Sequence, residues 1–502
     1  TSKEKRHWVR ITRCCNNKCI FCLDSDSQSG GAVPVEEVVA DLKRGIDRGA
    51  RRAIISGGEP TIHPDFVKIV SSAAGMGYEW VQAVSNGRMF YYADFVRRAR
   101  EAGLDEVTLS MHAHEPALFD TLTGVPGSFR QAIVGLKNAL SVPGLVVSVD
   151  IVTTALNIEH LSDIVRFYNK LGVDEFDLLY PVPFGGAWNN RETLLPDPDT
   201  AAAAFRRTLA LAAPKKITMW TNRVPPAVLE GFENHIQPPE KLYDEVYGRR
   251  EYFLDFLENG THLPCFEERC SVCNMEPFCR SLPELKKQLS PGDAPPLVVS
   301  EASAHLLDGL DPVRAAGGLV LDDASLARHP SVAPFMHNAE TPVTLLYDRI
   351  PDAGDLPAGE NLTIEIMVNR DTAPALLTGG MPSFGDIPVS IAARNYPDLE
   401  TCLERGTSLK VFFRHFNPEH GPPAEAARNV PPCISGAAAF APPVGIPLEL
   451  YAIGKEWDLD AVVRWFIEYR YYCQSRRCVE CPHVQSCPGL HINYARAYGF
   501  RE

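Results

Sequence analysis

From Trp8 to about Tyr180, short β-rich runs alternate with amphipathic helical stretches, and this alternation constrains the fold more than any other feature. The strand runs are Trp8 to Arg13, Ala53 to Ser56, Val81 to Ser85, Val107 to Met111, Val147 to Thr153 and Phe176 to Tyr180. Helical patterns lie between them, near Pro34 to Gly49, Pro64 to Ala74, Ala93 to Ala102, Ser128 to Leu140 and Glu159 to Leu171. In the first helix, Val38, Val39, Leu42 and Ile46 share one face, with Pro34 as the opening residue and Gly49 as the C-cap. Strands joined through helices run parallel, so this half of the chain predicts an α/β fold with ligands at the carboxyl ends of the strands. Periodicity alone fits an open sheet and a closed barrel equally.

The rest of the chain needs other signals. With 502 residues, two or three structural units are expected, and 45% hydrophobic with 22% charged residues suits a globular protein with a large core. No apolar run is long enough to span a bilayer, and the first residues are too polar for a secretory signal, so a cytoplasmic location is expected. In that setting the 14 cysteines point to metal ligation before disulfides. A net charge of -14 argues against bulk nucleic-acid binding.

Three of those cysteines, Cys15, Cys19 and Cys22, follow the first strand at C-x3-C-x2-C spacing. Thiolates are soft ligands suited to iron-sulfur clusters, and three of them leave one iron of a four-iron cluster without a protein partner. Zinc is the alternative, since Cys19 and Cys22 also form a C-x2-C pair, but structural zinc prefers four closed ligands. The spacing, with Phe21 before the last cysteine, resembles the signature of the radical S-adenosylmethionine (SAM) superfamily. The resemblance implies a partial (β/α)6 barrel, a 4Fe-4S cluster whose open iron chelates SAM, and reductive cleavage of SAM to a 5'-deoxyadenosyl radical.

Further motifs sit at the predicted strand ends. Gly57, Gly58, Glu59 and Pro60 look like the family's GGEP motif, in which glycines admit a close ligand and Glu59 offers an acceptor for the SAM ammonium group. Ser85, Asn86, Ser110, His112 and Thr153 fall where the family contacts SAM ribose or carboxylate. An Asn-Gly turn and a hydrogen-bonded structural His are the plainer readings of Asn86 and His112. Tyr180, at the last strand, can give a hydrogen atom or proton to a substrate intermediate, or simply pack. Pro181 to Asn190 reads as a substrate-facing loop.

Cys265, Cys270, Cys273 and Cys279 have C-x4-C-x2-C-x5-C spacing, and Cys473, Cys478, Cys481 and Cys487 repeat it without change. The C-x2-C-x5-C core resembles the SPASM/twitch-type extensions that carry auxiliary 4Fe-4S clusters. It departs from them in occurring twice, each time with an upstream cysteine. Two closed four-iron clusters or two four-cysteine zinc sites both satisfy the spacing. Cys14, Cys402 and Cys433 lack spaced partners and read as inert buried thiols.

The expected organisation is a radical SAM partial barrel over residues 1–215, a first auxiliary module over 216–290, a middle α/β or α+β unit over 291–464 and a second module over 465–502. In the middle unit, Val343 to Tyr347, Leu362 to Val368, Val389 to Ala393 and Leu409 to Phe413 read as β-rich. The resemblance implies an enzyme that abstracts a substrate hydrogen, takes electrons from a flavodoxin- or ferredoxin-type donor and uses auxiliary clusters in electron transfer. Oxidation or crosslinking of a ribosomal peptide is the first expectation. A radical dehydrogenase or rearrangement enzyme acting on a sugar or aminocyclitol is the second, and a non-catalytic metal-binding scaffold the third.

Overall fold

The computed structural model describes residues 5–27, 30–263, 268–290, 294–310, 315–416, 427–443, 445–452 and 457–501. The chain divides into two compact units, residues 1–238 with 272–274, and residues 239–271 with 275–502.

In the first unit, seven strands lie in chain order, each parallel to the next: β1 (Arg6–Thr12), β2 (Arg52–Gly57), β3 (Trp80–Ser85), β4 (Glu106–Ser110), β5 (Val146–Val152), β6 (Glu175–Leu179) and β7 (Thr218–Asn222). Helices α1 (Val35–Asp47), α2 (Phe66–Gly75), α3 (Ala93–Glu101), α4 (Pro116–Thr123), α5 (Ser128–Leu140) and α6 (Leu161–Lys170) supply the crossovers, with α4 and α5 sharing one connection. This is the expected α/β partial barrel, enlarged by one strand. β7 lies past the expected boundary at residue 215, in a stretch where Met219 and Thr221 are buried and Thr218 and Trp220 are exposed.

The two faces of the sheet differ chemically. Val9, Ile11, Ile55, Val81, Ala83, Val107, Leu109, Val149, Ile151 and Phe176 are buried on one face. Helix stripes such as Val38 and Leu42, Ile69 and Val70, Leu136 and Ala139, and Ile164 and Val165 are buried with them. The other face is polar. Arg52 binds Glu106 at 2.7 Å, Gln82 reaches Glu106 at 2.9 Å and Thr108 at 2.7 Å, and Thr108 meets Ser148 at 2.8 Å. Nearer the carboxyl ends, register sets Ser110 beside Asp150, Asp150 beside Asp177, and Asp177 beside Trp220.

The second unit is also built on a seven-stranded parallel sheet. Its strands are β8 (Leu297–Val299), β9 (Leu319–Leu321), β10 (Val343–Tyr347), β11 (Leu362–Val368), β12 (Val389–Ala393), β13 (Ala427–Arg428) and β14 (Ile446–Pro447). β8 to β13 follow chain order, whereas β14 returns to pair outside β8. The middle of the chain is therefore α/β. Leu409 to Phe413, expected as a strand, is instead part of the helix Leu409–His415. Ser408 caps it by accepting the Val411 N–H, and Leu409 and Phe412 are buried three residues apart. So short an apolar run does not distinguish the two states, and the cap decides it. A two-stranded ribbon, β15 (Tyr472–Cys473) and β16 (Leu490–His491), frames the last cysteines.

Candidate active site at the strand ends

β1 delivers the loop carrying Cys15, Cys19 and Cys22 to the carboxyl edge of the sheet, and neighbouring elements pin it on several sides. From α4, Thr123 O accepts Lys18 N–H at 2.8 Å and Leu122 O accepts Ile20 N–H at 3.0 Å. From the end of β3, Asn86 Nδ2 donates to Asn16 Oδ1 at 2.6 Å. Arg88 Nη1 donates to Asn17 Oδ1 at 2.9 Å and to the Asn16 carbonyl. Asn17 N–H in turn points at Cys15 Sγ, 3.4 Å away. Phe21 is buried edge-on to His112, with ring centroids 4.7 Å apart.

The expected substrate-facing loop after β6 does something else. Helix α7 (Gly185–Asn189) lies on the cysteine loop, with Gly186 N–H donating to Cys22 O at 2.8 Å and Asn190 Nδ2 donating to Ile20 O at 3.0 Å. A Cβ on Gly185 or Gly186 would fall 2.5 Å from the carbonyl oxygen of Cys22 or Ile20 respectively. This segment buttresses the cysteine loop.

The GGEP stretch is likewise built around the loop. Gly58 N–H donates to Thr12 O and Glu59 N–H to Cys14 O, both at 2.8 Å. A Cβ on Gly58 would lie 2.1 Å from Cys14 O, and one on Gly57 would lie 2.3 Å from Thr12 O. The close approach expected toward a ligand is made to the chain's own backbone. Pro60 opens the buried turn Pro60–Ile62, for which Glu59 is the cap. Glu59 Oε1 accepts from Thr61 N at 3.0 Å, from the Thr61 hydroxyl and from Ser85 Oγ at 2.8 Å. Oε2 accepts Asn86 N–H at 2.7 Å and retains one lone pair. Burial pushes this carboxyl's pKa up, against the pull of its donors.

Several expected cofactor contacts are absorbed by the scaffold. The Ser85 hydroxyl donates to Glu59 and accepts Gly87 N–H at 3.0 Å. Thr153 is fully buried and donates to Leu179 O at 2.9 Å. His112 accepts Val152 N–H at 3.2 Å through Nδ1, and burial lowers its pKa to about 3, so the ring is neutral. Tyr180, expected as a hydrogen or proton donor, is buried with its hydroxyl directed at Pro196 O, 3.4 Å away, and its pKa is pushed up to about 12 by burial. In this structure Tyr180 is therefore packed against the segment that carries Pro196. Ser110 stays half-buried at the end of β4. Asn16, Asn17 and Arg88 were not apparent from the sequence; the Asn86-Gly87-Arg88 turn marked their neighbourhood without showing that Arg88 folds back onto the loop.

The three thiols are near enough to influence one another. Burial raises the Cys19 pKa first, followed by the charges of Cys15 and Cys22, and burial pushes Cys15 up to about 11. Buried thiols stay protonated at neutral pH unless iron takes the place of the protons. Among the described residues, no three His, Cys, Asp or Glu side chains converge tightly enough to hold a single metal ion. One zinc draws its sulfurs to about 2.3 Å from a common centre.

The auxiliary cysteines are placed as follows. Cys270 lies in the turn Glu268–Val272 and Cys279 is buried in the helix Glu276–Gln288; Cys273 belongs to the short stretch grouped with the first unit, and Cys265 lies outside the described residues. Cys473 is buried in β15, whereas Cys478, Cys481 and Cys487 are partly exposed on the loop that follows. Cys402 is fully buried, as expected, with its pKa pushed up to about 12, whereas Cys14 is only half-buried, its thiol donating to Gly30 O. Cys433 is different: it is exposed.

A parallel sheet in chain order, with a three-cysteine loop pinned at its carboxyl edge, is the arrangement that the resemblance to radical SAM domains implies. Residues 9–168 match the model of the Radical SAM superfamily. The chain is 32% identical over 180 residues to a protein named "Probable GTP 3',8-cyclase" from Sulfurisphaera tokodaii, covering 35% of this chain and 56% of that one. The Saccharolobus solfataricus protein of the same name is 31% identical, with 58% of its length covered. The chain thus spans little more than half the length of these curated relatives. Among solved structures it is similar to Streptococcus suis SuiB bound to precursor peptide SuiA, at 17% identity and a TM-score of 0.39, over 49% of this chain and 55% of that one. It is also similar to HydG, a maturase of the [FeFe]-hydrogenase, at 13% identity and a TM-score of 0.38, over 44% and 52%. The family implies a 4Fe-4S cluster and SAM. No helix among the described residues is long and apolar enough to cross a membrane.

Proposed function

We propose that this radical SAM enzyme abstracts hydrogen from a polar, amine- or hydroxyl-bearing substrate held at the carboxyl end of the polar face of the first sheet. The observation that carries the reading is the cysteine loop, fixed at the carboxyl edge of a face lined by Ser110, Asp150, Asp177 and Asn222. When bound there, the cluster and SAM supply an electron and a 5'-deoxyadenosyl radical. The protein's part is placement. Cys15, Cys19 and Cys22 hold the cluster, and Asn86 and Arg88 hold the loop. Glu59 Oε2, with its remaining lone pair, accepts from the SAM ammonium group, and Ser110 faces the bound cofactor.

Asp150 and Asp177 lie in register on adjacent strands, and Asp177 Oδ1 is buried without a hydrogen-bond partner among the described residues. The unpartnered Asp177 oxygen favours a substrate that offers a hydroxyl or amine donor over a triphosphate. This argues against carrying the relatives' GTP chemistry over to this chain. A lysine-containing peptide and an aminocyclitol both satisfy the lining, so peptide modification remains within the proposal. The two cysteine modules hold auxiliary clusters that exchange electrons with the substrate, and a flavodoxin- or ferredoxin-type protein reduces the enzyme.

Anaerobically reconstituted protein is expected to form 5'-deoxyadenosine from SAM and dithionite. Panels of lysine-containing peptides and aminocyclitols are expected to raise the rate, and nucleoside triphosphates to leave it unchanged. Acceleration by GTP alone would overturn the substrate assignment, and no deoxyadenosine from iron-loaded protein would overturn the activity.

A further inference from the structure

The spacing of the second module groups Cys473 with Cys478, Cys481 and Cys487, but Cys473 is set in the ribbon strand whereas the other three lie on the segment that follows it. Cys473 pairs with Leu490 in the β15–β16 ribbon, is buried, and its Sγ lies 3.6 Å from Leu490 O. The ribbon is tight at this point, since a Cβ on Gly489 would fall 2.1 Å from Cys473 O. The other three cysteines sit on the loop that leaves the ribbon. Cys478 N–H donates to Ser475 O and Cys481 N–H to Cys478 O, both at 3.0 Å. Gln474 Nε2 closes the loop by donating to Val484 O at 2.9 Å and to Cys487 O at 2.6 Å.

An exposed cysteine is brought to the same loop from elsewhere. Cys433 lies in the helical turn Pro432–Ser435, and the preceding residues dock that turn against the base of the ribbon. Asn429, held at φ 61°, donates to Ala393 O at 2.8 Å and Asn395 Oδ1 at 2.7 Å, and accepts from the Tyr472 hydroxyl at 2.6 Å. Tyr472 immediately precedes Cys473, and Phe440 packs edge-on against it with centroids 5.8 Å apart. So anchored, Cys433 lies within electrostatic range of Cys478 and Cys481, and Cys487 within range of all three.

We propose that Cys433, and not Cys473, is the fourth thiolate of the C-terminal iron-sulfur site, together with Cys478, Cys481 and Cys487. This rests on reading the module as a cluster site. The inert role expected for Cys433 is thereby replaced by ligation, and Cys473 becomes a structural residue of the ribbon. Sequence spacing misleads here because the partner of a chelating loop can come from any segment the sheet brings near.

The test uses full-length protein in which Cys15, Cys19 and Cys22 are changed to Ala, which removes the SAM cluster. Iron, sulfide and zinc per chain, and the EPR spectrum of the reduced protein, are compared for Cys433→Ala, Cys473→Val and Cys478→Ala in that background. Cys433→Ala, at an exposed position, is expected to fold normally by circular dichroism. It is also expected to lose iron to the same extent as Cys478→Ala, by about four irons or by conversion to a three-iron signal. Cys473→Val, which preserves the packing, is expected to keep its iron. Iron loss in the Cys473 variant, or retention in the Cys433 variant while Cys478→Ala loses it, would overturn the assignment. If Cys478→Ala costs no iron, or costs zinc instead, the cluster reading itself fails and the assignment of Cys433 to it fails with it.

Discussion

Replacing Gly58 by Ala tests whether the GGEP stretch serves the cysteine loop, as its contacts indicate. The added Cβ would stand 2.1 Å from Cys14 O, 2.6 Å from Cys14 C and 2.9 Å from Arg13 O, where ordinary contact begins at 3.4 Å. All three atoms are backbone, so no side chain can swing aside. The two segments must part by more than 1 Å, and the 2.8 Å bond from Glu59 N–H to Cys14 O is stretched or broken. Overpacking of this kind costs about 1–3 kcal/mol, and the lost hydrogen bond about 1 kcal/mol more. Because Cys15 follows Cys14 directly, the strain falls on the first ligand of the cluster. Iron in the N-terminal site, measured in protein whose auxiliary cysteines are intact, should fall by about four per chain, and deoxyadenosine formation should fall with it. Gly75→Ala is the control, since nothing lies within 4 Å of its Cβ. A Gly58→Ala protein with wild-type iron, melting temperature and deoxyadenosine yield would refute the reasoning.

Arg88→Met removes two hydrogen bonds to the cysteine loop and a positive charge near Cys15, and should cost about 1.5–3 kcal/mol of loop stability; anaerobic iron titration should show weaker loading. Tyr180→Phe removes a single 3.4 Å hydrogen bond and should leave deoxyadenosine formation and substrate turnover within about twofold, the cost being near 1 kcal/mol or less. Cys15→Ala should abolish deoxyadenosine formation, whereas Cys478→Ala should leave uncoupled SAM cleavage and lose substrate turnover, which paired product assays will separate. His112 is neutral when folded, with its pKa lowered to about 3, but takes a proton below about 6.5 when unfolded. Its contribution to stability is complete above that pH and is lost as pH falls toward 3, amounting to about 2 kcal/mol at pH 5. Denaturation of His112→Asn should therefore show a shallower acid limb than the wild type.

The first sheet was legible because each of its early strands is an apolar run followed by a periodic helix, a pattern that local physics enforces. β7 escaped notice because Thr218, Trp220 and Asn222 interrupt its apolar residues with side chains that face the polar side of the sheet. The cysteine triad was legible from spacing, since neighbouring positions on one loop need no long-range information. The residues that hold the loop were not, because Arg88 reaches Asn17 across 71 positions and nothing in either neighbourhood records the contact. Glu59, Ser85 and Thr153 were found as a group for a sound reason, their position at strand ends, but strand ends also need internal hydrogen bonds. The same gap hid Cys433, whose placement depends on Asn429 and Tyr472, far apart in the chain.

The return of β14 to the outer edge of β8 carries a consequence for the order of assembly. β8 through β13 pair with strands close by in sequence, so each can dock as it emerges. β14 instead pairs Ile446 with Leu297, closing a long loop, and such a contact forms late because the intervening chain must first be ordered. Cys433 lies before β14, and Cys478, Cys481 and Cys487 lie after it. The four thiols are therefore gathered only once the second sheet is complete. Iron offered to a partly folded chain would meet Cys478, Cys481 and Cys487 without Cys433, so a site that includes Cys433 is completed only after folding.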